Sequence, residues 1–146
     1  MRVLILSGPN LNLLGSRDPA VYGTTTLPEL EEACRRWAAA LGIEVETFQS
    51  NHEGALIDRI HASVGAVDGI VFNPGALTHY SYALHDAVEA VPIPTVEVHL
   101  SDISRREEWR RTSVVRPACI ASIAGKGAEG YREALELLAA RAAATS

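Results

Sequence analysis

The 146-residue chain contains only two cysteines and one lysine, so several familiar kinds of site have few residues to draw on. Cys34 and Cys119 lack metal-ligand spacing, which argues against a cysteine-based metal centre. Two buried free thiols in a reducing cytoplasm are the simplest interpretation. Lys126, flanked by glycines, is the only lysine able to form a Schiff base, so we expect the chemistry to proceed without one.

Long apolar runs and an excess of positive charge are also absent. No stretch reaches the roughly 18 apolar residues that a membrane span requires, and the apolar segment near the amino terminus is too short for a signal peptide. The formal net charge of −5 argues against nucleic-acid binding, which needs clustered Lys and Arg. With 47% hydrophobic residues, the chain is expected to form one soluble, cytoplasmic domain over residues 1–146, without a nucleic-acid or membrane partner.

Strand and helix patterns alternate along the chain. Apolar runs rich in Val and Ile predict five buried strands, at Arg2–Ser7, Ile43–Phe48, Gly69–Phe72, Thr95–Val98 and Cys119–Ile123. Helical spacing predicts helices at Leu27–Leu41, Gly54–Val64, His79–Val91 and Ala128–Ala144, with a shorter polar helix around Ser104–Arg111. Such alternation implies right-handed crossovers and a parallel sheet covered on both faces. We therefore expect an α/β, flavodoxin-like three-layer sandwich with a five-stranded parallel sheet in the order 2-1-3-4-5.

The connection after the first strand is unusually long. Gly8–Gly23 exceeds the roughly 2–6 residues typical of a strand-to-helix loop, which indicates a functional lid with glycine hinges. The loop lacks the glycine patterns of nucleotide sites, but it carries Asn10, Arg17 and Tyr22 beside the edge where flavodoxin-like folds bind ligands. Each residue alone is more often structural, and their shared loop favours a role in a site.

Two further segments bring polar groups to that edge. After the third strand, Thr78 is placed to cap a helix starting at His79, where the positive helix dipole would keep the imidazole neutral. In the fourth strand, Glu97 and His99 share a face, so the carboxylate is expected to orient the ring and favour its protonated form. Polar residues on a buried strand need a reason, and we interpret this pair as a proton donor and its partner.

Arginines follow the fourth strand, and Arg106 and Arg110 would be like-charged neighbours in a helix. An anionic ligand would relieve their repulsion, since guanidinium forks match a carboxylate. The chain shows neither a nucleophile elbow nor the paired acids of a glycosidase. Proton transfer by tyrosine and histidine is the catalytic chemistry that remains.

Four segments are long and distinctive: GPNLNLLGSRDPAVYG, FQSNHEGALIDRIH, NPGALTH and EVHLSDISRREEWR. They closely resemble the type II 3-dehydroquinate dehydratases of the shikimate pathway, in order and over nearly the whole chain. The resemblance implies a flavodoxin-like subunit, a dodecamer of four trimers, and reversible conversion of 3-dehydroquinate to 3-dehydroshikimate and water without a cofactor or metal. Four positions depart from the family pattern: Tyr80, Tyr82, His85 and Asp102.

The resemblance also implies catalytic roles. Tyr22 would remove the C2 proton of the substrate, and Arg17 would hold its phenolate and stabilise the enolate. His99, oriented by Glu97, would donate the proton that lets hydroxide leave as water. Asn10 would position a water on the enolate oxygen.

Binding roles follow from the same resemblance. The substrate carboxylate and hydroxyls would be bound by Asn73, His79, Leu100, Ser101 and Arg110. Arg106 resembles a second arginine near the tyrosine, and Asp86 would reach in from a neighbouring subunit.

A tyrosine base makes physical sense in such a site. An unperturbed phenol has a pKa of about 10, too high for ionisation near neutrality. Opposite charges within about 4–6 Å shift a pKa by roughly 1–3 units, so Arg17 and Arg106 would make the tyrosinate accessible. The main alternative is a non-catalytic flavodoxin-like module that binds a carboxylate or nucleotide. A phosphoacceptor receiver domain is weaker, because Gly8-Pro9-Asn10 stands where that domain needs paired acids.

Overall fold

The five strands form one parallel sheet in the computed structural model, which describes residues 1–16 and 18–145 and only the backbone of Tyr22. The strands are β1 (Arg2–Ser7), β2 (Glu44–Gln49), β3 (Gly69–Asn73), β4 (Thr95–His99) and β5 (Ala121–Ala124). Their order in the sheet is β2-β1-β3-β4-β5, and each neighbouring pair is parallel. The predicted flavodoxin-like topology is therefore confirmed.

Helices cover both faces of the sheet. They are α1 (Pro19–Tyr22), α2 (Leu27–Ala40), α3 (Glu53–Ala62), α4 (Tyr82–Ala90) and α5 (Glu129–Thr145). Helices α2 and α5 pack on one face, and α3 and α4 pack on the other. Within the described ranges, no helix combines the length and apolar character needed to cross a membrane.

Side-chain alternation along β1 explains how one sheet supports two cores. Val3 and Ile5 belong to the core under α2 and α5, whereas Leu4 and Leu6 belong to the core under α3 and α4. All four side chains are fully buried. A strand buried on both faces reads as a continuous apolar run, which is why β1 could be predicted with its bounds.

The helix predicted from His79 begins three residues later. Gly75–His79 forms a 3-10 turn, and α4 starts after Ser81, whose hydroxyl oxygen accepts a hydrogen bond from the Leu84 N–H at 3.0 Å. The predicted cap at Thr78 is therefore wrong. The helix-dipole argument for His79 is also wrong, because this residue ends a turn and does not begin a helix.

The polar helix predicted around Ser104–Arg111 is absent. Its place is taken by two 3-10 turns, Ile103–Arg105 and Glu108–Arg110. The expected repulsion between Arg106 and Arg110 does not arise from a helical face, since Arg110 Nε donates to Glu107 Oε2 at 2.6 Å. Glu107 therefore offsets part of the charge of Arg110, through Nε alone.

Strand β5 starts two residues later than predicted, which changes the interpretation of one thiol. Both cysteines are free, but Cys34 is buried whereas Cys119 lies before β5 and is half-buried. Burial raises the pKa of each thiol to about 12, so neither is a ready nucleophile.

Candidate active site

The loops after β1 and β3 lie in close contact at the carboxyl edge of the sheet. The Gly8 N–H donates to the Asn73 carbonyl at 2.8 Å. A Cβ at Gly8 would lie 2.4 Å from the Pro74 carbonyl oxygen, and one at Gly75, where φ is +63°, would lie 2.9 Å from the Pro9 carbonyl oxygen. Both positions need glycine because backbone approaches backbone. Gly8 therefore packs this corner and is not free to act as the predicted hinge.

A pocket lies beside this corner, enclosed by the segments that follow β1, β3 and β4. The structure brings eight of the predicted site residues to its lining: Asn10, Asn73, His79, His99, Leu100, Ser101, Arg106 and Arg110. Further lining residues are Pro9, Leu11, Gly75, Ala76 and Ile103, which carry no chemical signal in the sequence. Three distant stretches of chain thus meet where a flavodoxin-like sheet binds its ligand.

Glu97 and His99 form a buried pair beneath the pocket. His99 Nε2 lies 2.9 Å from Glu97 Oε2, and the two side chains are 7% and 0% exposed. The same carboxylate accepts hydrogen bonds from three hydroxyl groups, those of Thr78, Ser113 at 2.7 Å and Ser122 at 3.1 Å. These hydroxyl groups were not predicted, because they come from segments distant in sequence.

The environment of this pair determines which of its atoms carry protons. Burial alone would raise the pKa of Glu97, but the hydrogen bonds and charge of His99, with the hydroxyl donors, outweigh it and lower the pKa to about 2. Glu97 is therefore ionised near neutrality and can only accept, so Nε2 of His99 carries a proton. Nδ1 is left available to the pocket, where a protonated ring can donate.

His79 contributes a second imidazole with a different environment. Its Nδ1 donates to the Thr112 carbonyl oxygen at 2.8 Å. Partial burial lowers the pKa of His79, and the nearby positive groups act in the same direction. The ring is thus neutral near neutrality, as expected, but desolvation is the cause. Nε2 remains as a hydrogen-bond acceptor.

Asn73 is held at both ends of its amide. Its Nδ2 donates to the Tyr131 hydroxyl oxygen at 3.2 Å, and its Oδ1 accepts from the Gly75 N–H at 3.1 Å. Tyr131 is fully buried, and this burial raises its pKa. A buried phenol on an apolar helix face needs a polar partner, a signal that could have linked Tyr131 to the site.

Asn10 is anchored by the loop after β2. Its backbone adopts φ +70°, and its N–H donates to Asn51 Oδ1 at 2.9 Å. Gln49 Nε2 donates to the same oxygen at 3.1 Å and to the Gly8 carbonyl at 3.2 Å. The segment FQSN therefore holds the loop after β1 in place through hydrogen bonds, a role that its sequence did not indicate.

Two arginines give the pocket positive charge. Arg106 Nη1 lies 3.4 Å from Ser101 Oγ. Arg110 is largely buried, with 22% of its side chain exposed, and is held by Glu107 through Nε. A guanidinium of this kind presents its terminal amino groups as a fork suited to a carboxylate.

One predicted site residue lies away from the pocket. Asp86 is exposed on α4 and does not line the pocket. Arg17 and the side chain of Tyr22 lie outside the described residues. A neighbouring pocket is lined by Val21 of α1, Gly23 and Leu100, the residue after His99.

A parallel flavodoxin-like sheet with a buried carboxylate–histidine pair and arginines at its carboxyl edge defines a small α/β enzyme for an anionic substrate. The chain belongs to the family of class II dehydroquinases, whose family model matches residues 1–139. This finding confirms the resemblance seen in the sequence.

Individual relatives match over nearly their whole length. The chain is 56% identical over 136 residues to a 3-dehydroquinate dehydratase of Dinoroseobacter shibae, covering 93% of this chain and 91% of that protein. It is 53% identical over 138 residues to a catabolic 3-dehydroquinase of Verticillium alfalfae, covering 94% and 92%. The crystal structure of a type II dehydroquinase from Butyrivibrio crossotus matches with a TM-score of 0.92 at 46% identity, covering 94% of this chain and 97% of that one.

Proposed function

We propose that this chain catalyses the reversible dehydration of 3-dehydroquinate to 3-dehydroshikimate through an enolate, with Tyr22 as base and His99 as acid. The carrying observation is the buried Glu97–His99 pair beneath a pocket lined by asparagine and arginine, in a member of this family. A non-catalytic binding module has no need of such a pair, and family membership speaks against it.

In the first step, the tyrosinate of Tyr22 removes the proton from C2 and becomes a phenol, while the electrons of the C–H bond form the enolate. Arg17 and Arg106 stabilise both anions, and Asn10 positions a water on the enolate oxygen. Arg106 lines the pocket, and the anchored backbone of Asn10 supports the role given to its side chain.

In the second step, the protonated His99 donates from Nδ1 to the leaving hydroxyl group, which departs as water as the carbon–carbon double bond forms. Glu97 holds Nε2–H throughout and stabilises the imidazolium. His99 finishes neutral, Tyr22 finishes protonated, and the two exchange protons with solvent before the next cycle.

The substrate's other polar groups are assigned to the remaining pocket residues. Arg110 offers a fork to the carboxylate, and the neutral His79 accepts from a hydroxyl group at Nε2. Asn73, the backbone at Leu100 and Ser101 complete the polar lining. Specificity arises because each pocket group would be left unpaired by an analogue that lacks the matching hydroxyl.

Neither a Schiff base nor a metal is required by this chemistry. Lys126 Nζ lies 2.6 Å from Glu133 Oε2, and Lys126 does not line the pocket. Fixed dipoles and positive charge carry the transient negative charge that a cofactor would otherwise hold.

The protein is proposed to work in the cytoplasm as a homo-oligomer, a dodecamer of four trimers. Asp86 is exposed and would complete the site of a neighbouring subunit. Tyr82, 69% exposed, begins the same helix, and Tyr80, 63% exposed, lies two residues before it. Light scattering should give the mass of twelve chains. A monomer with full activity would contradict the shared-subunit role of Asp86.

The test of function is direct. Purified protein mixed with 3-dehydroquinate should produce the ultraviolet absorbance of a conjugated enone acid. Tyr22→Phe should retain substrate binding but form almost no product, and unchanged turnover would eliminate Tyr22 as the base. Borohydride in the presence of substrate should leave the enzyme active, since no imine forms.

A further inference from the structure

Trp109 lies beside the pocket and contacts two of its residues. It is 54% exposed, and it is absent from the pocket lining. Its ring centroid lies 5.4 Å from that of His79, with the planes at 85°, and the Arg110 guanidinium carbon lies 4.0 Å from the Trp109 ring centroid. The first is the edge-to-face geometry that aromatic rings prefer, and the second is well within the roughly 6 Å of a cation–π contact.

We propose that Trp109 is a positioning residue whose ring holds His79 and Arg110 in the arrangement that binds the polar side of the substrate. This inference rests on the binding roles proposed above for those two side chains.

Among the residues that the structure describes, each of these two side chains has one hydrogen-bond partner in addition to its contact with Trp109. His79 is tied through Nδ1 to the Thr112 carbonyl, and Arg110 is tied through Nε to Glu107. A single hydrogen bond fixes one atom and leaves the rest of a side chain free to turn about it. Contact with the Trp109 ring supplies the second restraint in both cases.

The restraint leaves the binding atoms available. Neither Nε2 of His79 nor the terminal amino groups of Arg110 form a hydrogen bond with any residue that the structure describes. A hydrogen-bonding side chain in place of Trp109 would compete for these atoms, whereas the Trp109 ring meets His79 edge-to-face and the Arg110 guanidinium over its own face. Preorganisation of this kind lowers the entropy lost when a ligand binds.

Loss of the Trp109 ring should affect substrate binding more than proton transfer. His79 and Arg110 are assigned to the substrate's carboxylate and hydroxyl groups, and the proton steps are assigned to Tyr22 and His99. Loss of the ring should therefore raise KM while leaving kcat nearly unchanged.

The steady-state test compares Trp109→Leu with Trp109→Phe. One aromatic pair and one exposed cation–π contact together correspond to about 5–70-fold in a binding constant, so Trp109→Leu should raise KM by about that factor, with kcat within about threefold of the unmodified enzyme. Trp109→Phe keeps an aromatic face and should stay within about threefold in both constants. Trp37→Leu, on α2, is the matched control for loss of a tryptophan, and thermal unfolding of all variants reports their stability.

A fluorescence test needs neither turnover nor substrate. The chain has two tryptophans, so Trp37→Phe leaves Trp109 as the sole tryptophan, which excitation at the red edge of indole absorption selects over tyrosine. A protonated imidazole quenches an indole that it contacts, and burial lowers the pKa of His79 from its ordinary value of about 6.5. Emission should therefore fall as the pH drops through a midpoint below that value, and His79→Asn in the same background should remove the transition.

The outcomes separate this inference from the proposed function. Absence of turnover in the unmodified enzyme would overturn the function and leave the fluorescence result to decide the contact. An unchanged KM in Trp109→Leu, or equal impairment in Trp109→Phe, would overturn the positioning role. Emission that does not respond to His79 would overturn the contact itself.

Discussion

Replacing Glu97 with glutamine removes the negative charge beneath His99 while nearly preserving the side chain's shape. With its amide oxygen in the place of Oε2, glutamine can still accept from His99, Thr78 and Ser113. The amide nitrogen then faces Ser122, whose hydroxyl group can turn to accept. The substitution therefore isolates the effect of charge.

The expected magnitude follows from the separation of 2.9 Å between Glu97 and His99. A hydrogen bond to a charged group contributes about 1.5–3 kcal/mol. Because Glu97 is proposed to stabilise the imidazolium that donates the proton, kcat at neutral pH should fall by about 10–100-fold in Glu97→Gln.

The assay is enone absorbance at neutral pH, with Ser122→Ala as the control. Ser122→Ala removes one hydrogen-bond donor to the Glu97 carboxylate and keeps the negative charge of Glu97. Loss of one hydrogen bond corresponds to about 1 kcal/mol, so kcat should fall by roughly fivefold at most. Removing one partner of a buried ion pair costs stability, so thermal unfolding must show that Glu97→Gln is folded under the assay conditions. A folded Glu97→Gln enzyme with kcat within about threefold of the unmodified protein would refute the reasoning.

Two predictions concern stability. Gly8→Ala should destabilise the fold by about 1–3 kcal/mol in urea unfolding, because the new Cβ meets the Pro74 carbonyl. Gly54→Ala on α3 is the control: its Cβ has open space, so this substitution should stabilise the fold by up to about 1 kcal/mol. Equal effects of the two substitutions would contradict the packing argument. The lowered pKa of Glu97 predicts stability that is fully present above its unfolded value of about 4.3 and is lost as the pH falls toward about 2. Urea unfolding at about pH 6 and about pH 3 should show a loss of up to about 2 kcal/mol that shrinks in Glu97→Gln, and parallel losses in both proteins would exclude Glu97 as the source.

The sheet could be predicted because its signals are local. Buried parallel strands are short runs of Val, Ile and Leu, and alternation with helical patterns restricts the order in which they can pair. The contact between Glu97 and His99 was also predictable, since residues two apart in a strand share a face. Both outcomes depend on periodicity alone.

The turns at the site were harder because side chains compete with the backbone there. Ser81 begins α4 by accepting a backbone N–H, and Asp102 does the same for Ser104 at 3.0 Å. These local bonds break the helical pattern that the apolar and charged spacing had suggested. Helix periodicity therefore misplaced both His79 and the arginine segment.

The partners of the buried groups could not be predicted because they are remote in sequence. Ser113 and Ser122 reach Glu97 from 16 and 25 residues away, and Tyr131 reaches Asn73 from 58 residues away. The residues that neighbour a serine or tyrosine in the sequence do not indicate which distant group it will bond to. Only the requirement that buried polar groups be satisfied indicates that partners exist.

The central claim is that two guanidinium groups keep the phenol of Tyr22 ionised near neutral pH. Ultraviolet difference absorbance of tyrosinate, followed from about pH 6 to about pH 11, measures this state in a protein with four tyrosines. The account predicts one tyrosine that ionises about 1–3 units below the ordinary value of about 10 and that disappears in Tyr22→Phe. Identical titrations of the two proteins would contradict it.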